Sequence, residues 1–455
     1  MLPNGKSKKY NTLMEIKSYK EAVKYLDSFI KPVVFARIRP EDAALKDPLD
    51  RMRMLLKLLG NPQNTFKSVQ VSGTSGKGST AYLISHILTT AGYRTGFTMS
   101  PHLEKINERI QINGKPISDE DFIELVNLVA PAIERMKEMS VGEPSYFEIT
   151  MAMAFLIFVQ QEVDIAVVEV GMEGKYDASN TLKPIVAVLT NIDLDHTELL
   201  GETVEEIAKE AIEIIQTLPS KKEQIVITGV KQPSVIKIVE EKCKEVGAKL
   251  YRLGKDFELT KFEVSLLGDY QKENASLAVE VVRQLKKFGF KVSDDHVKEA
   301  LKTAFFPGRF EILRRASLAQ DKTSPTLVLD GAHNPAKMKA FIKALESLFP
   351  EERKIFVIAF KSDKDIKKML AEIVKVADKI IVTRFHASMG YVSSGAMEAD
   401  SIKHYVSSIE YSGKLIVEED SKQAIKKAFE MAEKDDLIVV TGSLYLVGEV
   451  RSFLL

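Results

Sequence analysis

Apolar positions recur at helical spacing over residues 13–30, where Leu13, Ile16, Ala22, Val23, Leu26 and Ile30 share one face. The stretch 32–48, punctuated by Pro32, Pro40 and Pro48, has no clean period and reads as a loop. A helix over 49–59 stops at Gly60. The pattern then changes to short β-branched runs separated by amphipathic stretches. Val69-Gln70-Val71 is a strand, and a helix follows over 80–90. A strand over 95–99 precedes helices over 119–139 and 147–161. Ser118 with Asp121 three residues on resembles a capping box for the first of these. Residues 164–171 are apolar on both faces, the signature of a buried parallel strand, and 185–191 repeat it. Helices near 203–217, 234–246, 273–288 and 293–304 alternate with strands near 224–228 and 248–253.

Pro307-Gly308-Arg309 breaks this rhythm, which then restarts. Strands are predicted over 326–330, 354–359, 379–383, 414–417 and 437–441. Helices fall over 336–348, 364–376, 421–433 and from Tyr445 onward. Strand–helix alternation at this spacing means parallel sheets with right-handed crossovers. Two α/β domains are expected, with a boundary near 307–310.

The first strand ends in Gly73-Thr74-Ser75-Gly76-Lys77-Gly78-Ser79-Thr80. Strand, glycine turn, then helix is the context of a phosphate-binding loop. Glycines let the backbone approach phosphates, and amide N–H groups at the positive helix end favour the anion. Lys77 adds a mobile charge, and Ser79 or Thr80 a hydroxyl for a magnesium ion. The common pattern has Gly six residues before the lysine and Ser or Thr directly after it. Here those places hold Val71 and Gly78.

Composition narrows the class. Lys+Arg and Asp+Glu each number 64, so nothing favours nucleic acid or an anionic membrane as partner. No apolar run reaches about 18 residues, and Met1 to Lys6 lacks the apolar core of a signal peptide. Cys243 is the sole cysteine, which fits a reducing, cytoplasmic setting, and reads as a packing thiol.

Four chemistry-bearing groups fall at predicted strand ends: the 73–79 loop, Ser100 to His102, Glu169, and Asp193 to His196. In a parallel sheet all face one crevice. Glu169 beside a phosphate loop suits a magnesium ion, or caps a neighbouring helix. Asp193-Leu194-Asp195-His196 reads alone as a polar turn; magnesium prefers oxygen, so His196 is equally a general base. Asp330-Gly331-Ala332-His333-Asn334-Pro335 suits ribose or phosphate contacts or a proton transfer, and equally an Asx turn before a proline-led helix. Arg309 on the hinge suits bidentate phosphate contact. These residues describe an ATP-using enzyme without naming the acceptor.

In order along the chain, several blocks resemble the folylpolyglutamate synthase and dihydrofolate synthase branch of the Mur ligases. They are Leu59-Gly60-Asn61-Pro62-Gln63, the glycine loop, Ser100-Pro101-His102-Leu103, Glu108-Arg109-Ile110, Phe147-Glu148 with Thr150, and Val168-Glu169-Val170-Gly171. Asp177-Ala178-Ser179-Asn180, Leu194-Asp195-His196-Thr197, Pro307-Gly308-Arg309-Phe310-Glu311, the Asp330 block, Asp363-Lys364-Asp365 and Gly442-Ser443-Leu444-Tyr445-Leu446 complete the likeness.

The resemblance implies a P-loop ATP-binding domain with a mostly parallel sheet over 1–308, the Mur-type central domain. A smaller Rossmann-like glutamate-ligase domain would span 309–455. It implies ATP-dependent attachment of L-glutamate to a folate or dihydropteroate through an acyl phosphate. By that likeness Gly73, Thr74, Ser75, Gly76, Lys77, Gly78, Ser79, Thr80, Asn274, Arg309 and Asp330 bind ATP. Ser79, Glu169 and His196 hold Mg2+, with a second Mg2+ and K+ as further ions. Lys77, His196 and His333 are implied in catalysis, and Ser100 and His102 in substrate binding, in a cytoplasmic monomer. Four positions depart from the family pattern: Ser75 for Asn, Glu173-Gly174-Lys175 for Gly-Gly-Arg, Tyr270 for His, and Ala211 for a lysine that is often carbamylated. Lys209, Glu210 or Glu213 are the candidate replacements at the last. The departures leave two alternatives open: a different amino acid and acid, or a nucleotide-binding module without turnover.

Overall fold

The computed structural model describes residues 15–30, 47, 49–171, 174–195, 197–220, 222–314, 325–386, 395–409 and 411–455. The loop expected over 32–48, apart from Asp47, lies outside them, as do His196 and Glu173.

The first sheet comprises β1 (Lys67–Ser72), β2 (Thr95–Thr98), β3 (Ile110–Ile112), β4 (Lys115–Pro116), β5 (Ile165–Glu169), β6 (Val186–Leu189), β7 (Ile225–Thr228) and β8 (Lys249–Arg252). Around it lie α1 (Tyr19–Asp27), α2 (Asp50–Leu58), α3 (Lys77–Thr90), α4 (Asp119–Lys137), α5 (Tyr146–Gln160), α6 (Thr197–Leu200), α7 (Val204–Ala211), α8 (Pro233–Val246), α9 (Asp269–Gln284) and α10 (Asp294–Thr303). The strand order is β4-β3-β2-β5-β1-β6-β7-β8. Only β3 and β4, which sequence periodicity does not reveal, run antiparallel to their neighbours.

β5 explains why 164–171 is apolar throughout. Ala166 and Val168 pack into a cluster with α4 and α5, while Ile165 and Val167 pack into one with α3 and α9. Each such valine stabilises the fold by about 1.5–3 kcal/mol once fully enclosed. Register then aligns the strand ends: Val71 pairs with Glu169, Ser72 with Leu189, and Thr98 with Val168. The loops after β1, β2, β5 and β6 therefore emerge side by side.

The second sheet holds β9 (Glu311–Arg314), β10 (Thr326–Leu329), β11 (Lys354–Ile358), β12 (Lys379–Val382), β13 (Lys414–Val417) and β14 (Leu437–Thr441). Its helices are α11 (Pro335–Leu348), α12 (Ile366–Ile373), α13 (Ala399–Ser407), α14 (Ser421–Met431) and α15 (Leu444–Leu454). The order is β13-β12-β11-β14-β10-β9, parallel except for β9 against β10. Glu311 pairs with Leu329, which sets the residues just before β9 beside the end of β10.

Several boundaries differ from those predicted. The helix expected over 203–217 ends at Ala211 and tightens into a 3-10 turn over Ile212–Ile214, burying Ile212 and Ile214. The helix expected from 273 begins at Asp269, just after Gly268, whose φ of 100° breaks the preceding backbone. β9 and α13 were not expected.

Candidate active site

The glycine loop is clamped by the end of β6. Asn191 Oδ1 accepts from Ser75 N at 2.8 Å, and Thr190 Oγ1 donates to Ser75 O at 2.7 Å. Thr74 Oγ1 donates to Asp193 O and accepts from Asp193 N, so its hydroxyl is engaged by the neighbouring loop. Gly76 (φ 82°) opens α3, and a Cβ there would lie 2.4 Å from Asn274 Oδ1. Glycine is thus required for backbone conformation and for the approach of Asn274. Lys77 Nζ donates to Gly73 O at 2.5 Å, folding across its own loop.

Gly78, the departure from the common loop, has a spatial reason. A Cβ at 78 would meet Glu169 Oε1 at 3.3 Å and the Phe306 ring at 3.5 Å. The missing side chain lets the β5 carboxylate approach α3. Ser79 Oγ accepts from Gln271 Nε2 at 3.4 Å, and Asn274 Nδ2 donates to Gln271 Oε1 at 2.9 Å. Thr80 is fully buried inside α3 and does not line the cavity, so Ser79 is the hydroxyl presented there. Glu169 Oε2 accepts from Ser100 N at 3.1 Å. Burial pushes the Glu169 carboxyl above its usual range, against the pull of Lys77 and the Ser100 N–H.

Ser100 lines the same cavity; His102 does not. His102 is buried, and its Nδ1 accepts from Arg109 Nε at 2.8 Å. Burial, then Arg109, drives its pKa down to about 3, so the ring is neutral with its proton on Nε2. Arg109 also lies over the Tyr146 ring at 5.4 Å.

The second sheet supplies the opposite wall. Asp330, after β10, accepts from Phe310 N and Ala332 N, each at 2.8 Å. It fixes the turn that carries Arg309, whose guanidinium lies 5.4 Å over the Phe306 ring. Burial raises the Asp330 pKa to about 6, although Arg309 and the two N–H groups oppose it. His333 Nδ1 lies 2.7 Å from Gly331 O, an acceptor only, so Nδ1 carries the proton. Its Nε2 then accepts from Lys337 Nζ at 3.1 Å. Burial and the Lys337 charge hold His333 well below its ordinary pKa, consistent with this neutral tautomer. Asp195 bridges the two halves, accepting from Asn334 Nδ2 at 3.0 Å and from Lys364 Nζ at 3.1 Å.

A cavity of about 350 Å³ lies where these elements meet. It brings together Thr74 to Ser79, Ser100, Glu169, Asn274, Arg309, Asp330 and His333, all expected from sequence. Gly73 and Thr80 flank it without lining it. Tyr270, Gln271, Asn191 and Lys337 line it as well, and sequence reasoning did not place them there. Tyr270, a departure from the family pattern, packs against the core of the second sheet.

Some sequence blocks serve packing. Ser179 Oγ and Asn180 Oδ1 accept from the buried Gln70 Nε2 on β1 at 2.8 and 3.0 Å. Ala211 is enclosed in an apolar cluster with Ile207 and Val239. Of its candidate replacements, Lys209 is exposed, Glu213 lies 3.7 Å from Lys242, and Glu210 accepts from Lys175 N at 3.1 Å. None of the three lines the cavity. Cys243 is buried, with burial pushing its thiol up to about 12, as expected of a packing residue.

Two family models match the chain: the Mur ligase middle domain over residues 71–282 and the dihydrofolate synthetase C-terminal domain over residues 314–453. The dihydrofolate synthase/folylpolyglutamate synthase of Bacillus subtilis is 30% identical, with 90% of this chain and 95% of that protein aligned. The folylpolyglutamate synthase of Lacticaseibacillus casei is 31% identical over 96% of this chain and 99% of its own length. Among solved structures, Mycobacterium tuberculosis folylpolyglutamate synthase complexed with ADP superposes with a TM-score of 0.83 at 28% identity, covering 96% of this chain and 99% of that one. A folylpolyglutamate synthase–AMPPCP–folate complex matches at TM-score 0.78 and 29% identity, covering 96% and 100%.

Proposed function

Because the chain belongs to the folylpolyglutamate synthase and dihydrofolate synthase family of the Mur ligases, ATP-dependent ligases that join glutamate to a folate-type acid, we propose that its cavity is where the acid is activated. The observation that carries this is the convergence of Lys77, Arg309 and the Asp330 turn, from both sheets, on one space. We place the division between an ATP-binding domain and a glutamate-ligase domain at residues 308 and 309, just ahead of β9, which pairs with the second sheet from Glu311.

In this reading the triphosphate lies along residues 73–79 at the N-terminus of α3. Lys77 leaves Gly73 O for the β- and γ-phosphates, and Arg309 contacts the γ-phosphate from the hinge. Asn274, held by Gln271, lies against the loop at Gly76. A carboxylate oxygen of folate or dihydropteroate attacks the γ-phosphorus, and the β–γ bridging oxygen leaves with ADP. The α-amine of L-glutamate then attacks the acyl carbon and phosphate departs. A free carboxylate is a poor electrophile, so phosphorylation supplies the leaving group, and the protein supplies position and charge neutralisation.

The residues present fit one magnesium ion. Ser79 Oγ and the Glu169 carboxylate are oxygen donors lining the cavity, and the missing side chain at Gly78 lets Glu169 approach α3. Magnesium commonly takes one or two protein oxygens beside phosphate and water. Bound there, it would neutralise charge on the phosphates and offset the burial cost of ionised Glu169. At Ala211 a second ion finds no ligand among the described residues, since neither Glu210 nor Glu213 lines the cavity. His333 serves as a neutral imidazole whose accepting nitrogen faces Lys337, and Ser100 contacts the acid. His102 acts by positioning Arg109. In this reading the enzyme works as a cytoplasmic monomer; no helix among the described residues is long and apolar enough to cross a membrane.

The test is ADP release with dihydropteroate and with reduced folates offered separately, each with and without L-glutamate. Release that needs both acid and glutamate supports the assignment; no release with any folate-type acid rejects it.

A further inference from the structure

We propose that Lys337, at the start of α11, grips the terminal phosphate of ATP from the second domain, making a contact that ADP cannot make. The proposal rests on the ligase reading above and adds a phosphate ligand to it.

Lys337 occupies a place where burial, the helix dipole and three neighbouring cations disfavour a further cation. It sits in the first turn of a 14-residue helix, where Asn334 Oδ1 accepts from Lys337 N at 2.9 Å and the helix dipole is positive. Its Nζ meets a neutral histidine nitrogen, and no carboxylate forms an ion pair with it among the described residues. Lys77 faces it from the glycine loop, Arg309 from the hinge, and Lys364 from the turn before α12. The acid that opposes them most, Asp195, is already bonded to Asn334 and Lys364, and the buried Glu169 and Asp330 carboxyls also feel the Lys337 charge without forming an ion pair with it. Burial, and then these cations acting against Asp195, push the Lys337 pKa down to about 8. An enclosed ammonium is costly unless it is paired. A multiply charged anion in the cavity that Lys337, Lys77 and Arg309 all line would pair it.

The geometry also sets the direction. Lys77 belongs to the 73–79 loop, which wraps the inner phosphates, whereas Lys337 comes from the facing wall. It is therefore the distal phosphate, the one transferred, that lies between the two lysines. His333 completes the arrangement: Gly331 O takes its proton on Nδ1, which leaves Nε2 to hold the ammonium in place.

The experiment compares binding of ADP and of a non-hydrolysable ATP analogue to the full-length wild type, Lys337→Gln and Lys337→Arg by calorimetry. Lys337→Gln is expected to weaken the analogue about ten- to hundredfold, the worth of a charge-assisted hydrogen bond, and ADP by about twofold or less. Lys337→Arg is expected to retain most of the discrimination. An equal loss for both nucleotides, or no loss for the analogue, overturns the proposal. If the glutamine variant fails to fold, acetylation of the wild type decides: the analogue, and not ADP, shields Lys337 in the mass spectrum, and equal labelling overturns it. The binding arms need no folate. A wild type that releases no ADP with any folate-type acid would sink the ligase reading while still reporting on Lys337.

Discussion

Asn334 Nδ2 donates to Asp195 Oδ2 across 3.0 Å, tying the loop after β6 to the cap of α11. Lys364 Nζ completes the bridge at 3.1 Å on the other carboxylate oxygen, with both charged side chains largely enclosed. Replacing Asp195 with alanine strands the Asn334 amide and leaves Lys364 only its 3.9 Å contact with Asp363. A loss of about 2 kcal/mol in unfolding free energy is expected, together with a higher KM for ATP, since the two cavity walls lose their link. Urea titration and steady-state kinetics check both; unchanged values in both would refute the bridging role.

Gly78 separates two accounts of the loop. If the common pattern were the better solution, Gly78→Ser would be harmless or helpful. The structure places Glu169 Oε1 3.3 Å from the new Cβ. Turnover is expected to fall about tenfold from displaced Glu169. The thermal midpoint should hold, because serine favours the helix by about 0.5 kcal/mol over glycine.

Gly448, inside α15, meets the loop after β2. A Cβ there would lie 1.9 Å from Leu103 O, a backbone atom, and Leu103 itself packs into the second sheet's core. Alanine would gain about 1 kcal/mol of helix propensity, but the clash outweighs it. A net destabilisation of about 2 kcal/mol is expected in chemical denaturation, and a stabilised Gly448→Ala protein would contradict this packing.

His102 gives a pH signature. Its folded pKa of about 3 lies below the ordinary 6.5, so between these values the unfolded chain binds the extra proton. The His102 contribution is complete above pH 6.5 and is lost as pH falls toward 3, at up to about 1.4 kcal/mol per pH unit. The urea midpoint of the wild type should therefore drop more from pH 7 to pH 5 than that of His102→Asn. Parallel drops would mean that the ring is not held neutral by Arg109 and burial.

Much of this was legible in the chain because strand–helix alternation and strand-end chemistry are local signals. Residues 74–79 of the loop, Glu169, Ser100, Arg309, Asp330 and His333 each sit where an apolar strand stops or a hinge begins, and all line one cavity. What escaped depends on partners distant in sequence. Gly78 looks like a flaw until Glu169 is seen beside it, ninety-one residues on. Lys337 looks like a solvated helix residue, and only in the folded chain does it share a cavity with the glycine loop. The antiparallel β3 and β4 are too short to carry a period, and β9 follows directly on the Pro307-Gly308-Arg309 break that reads as a boundary. Ala211 reads as a lost ligand, yet it faces an apolar cluster under α8, where methyl size decides.

Transfer of the γ-phosphoryl group to the acid before glutamate attacks is the central step of the proposed reaction. The most direct measurement uses a folate-type acid labelled with oxygen-18 in its reacting carboxylate, with mass spectrometry of the released phosphate. One labelled oxygen per phosphate is the predicted result, since one carboxylate oxygen stays in the amide and the other leaves on phosphorus. Unlabelled phosphate, accompanied by normal amide product, would contradict it.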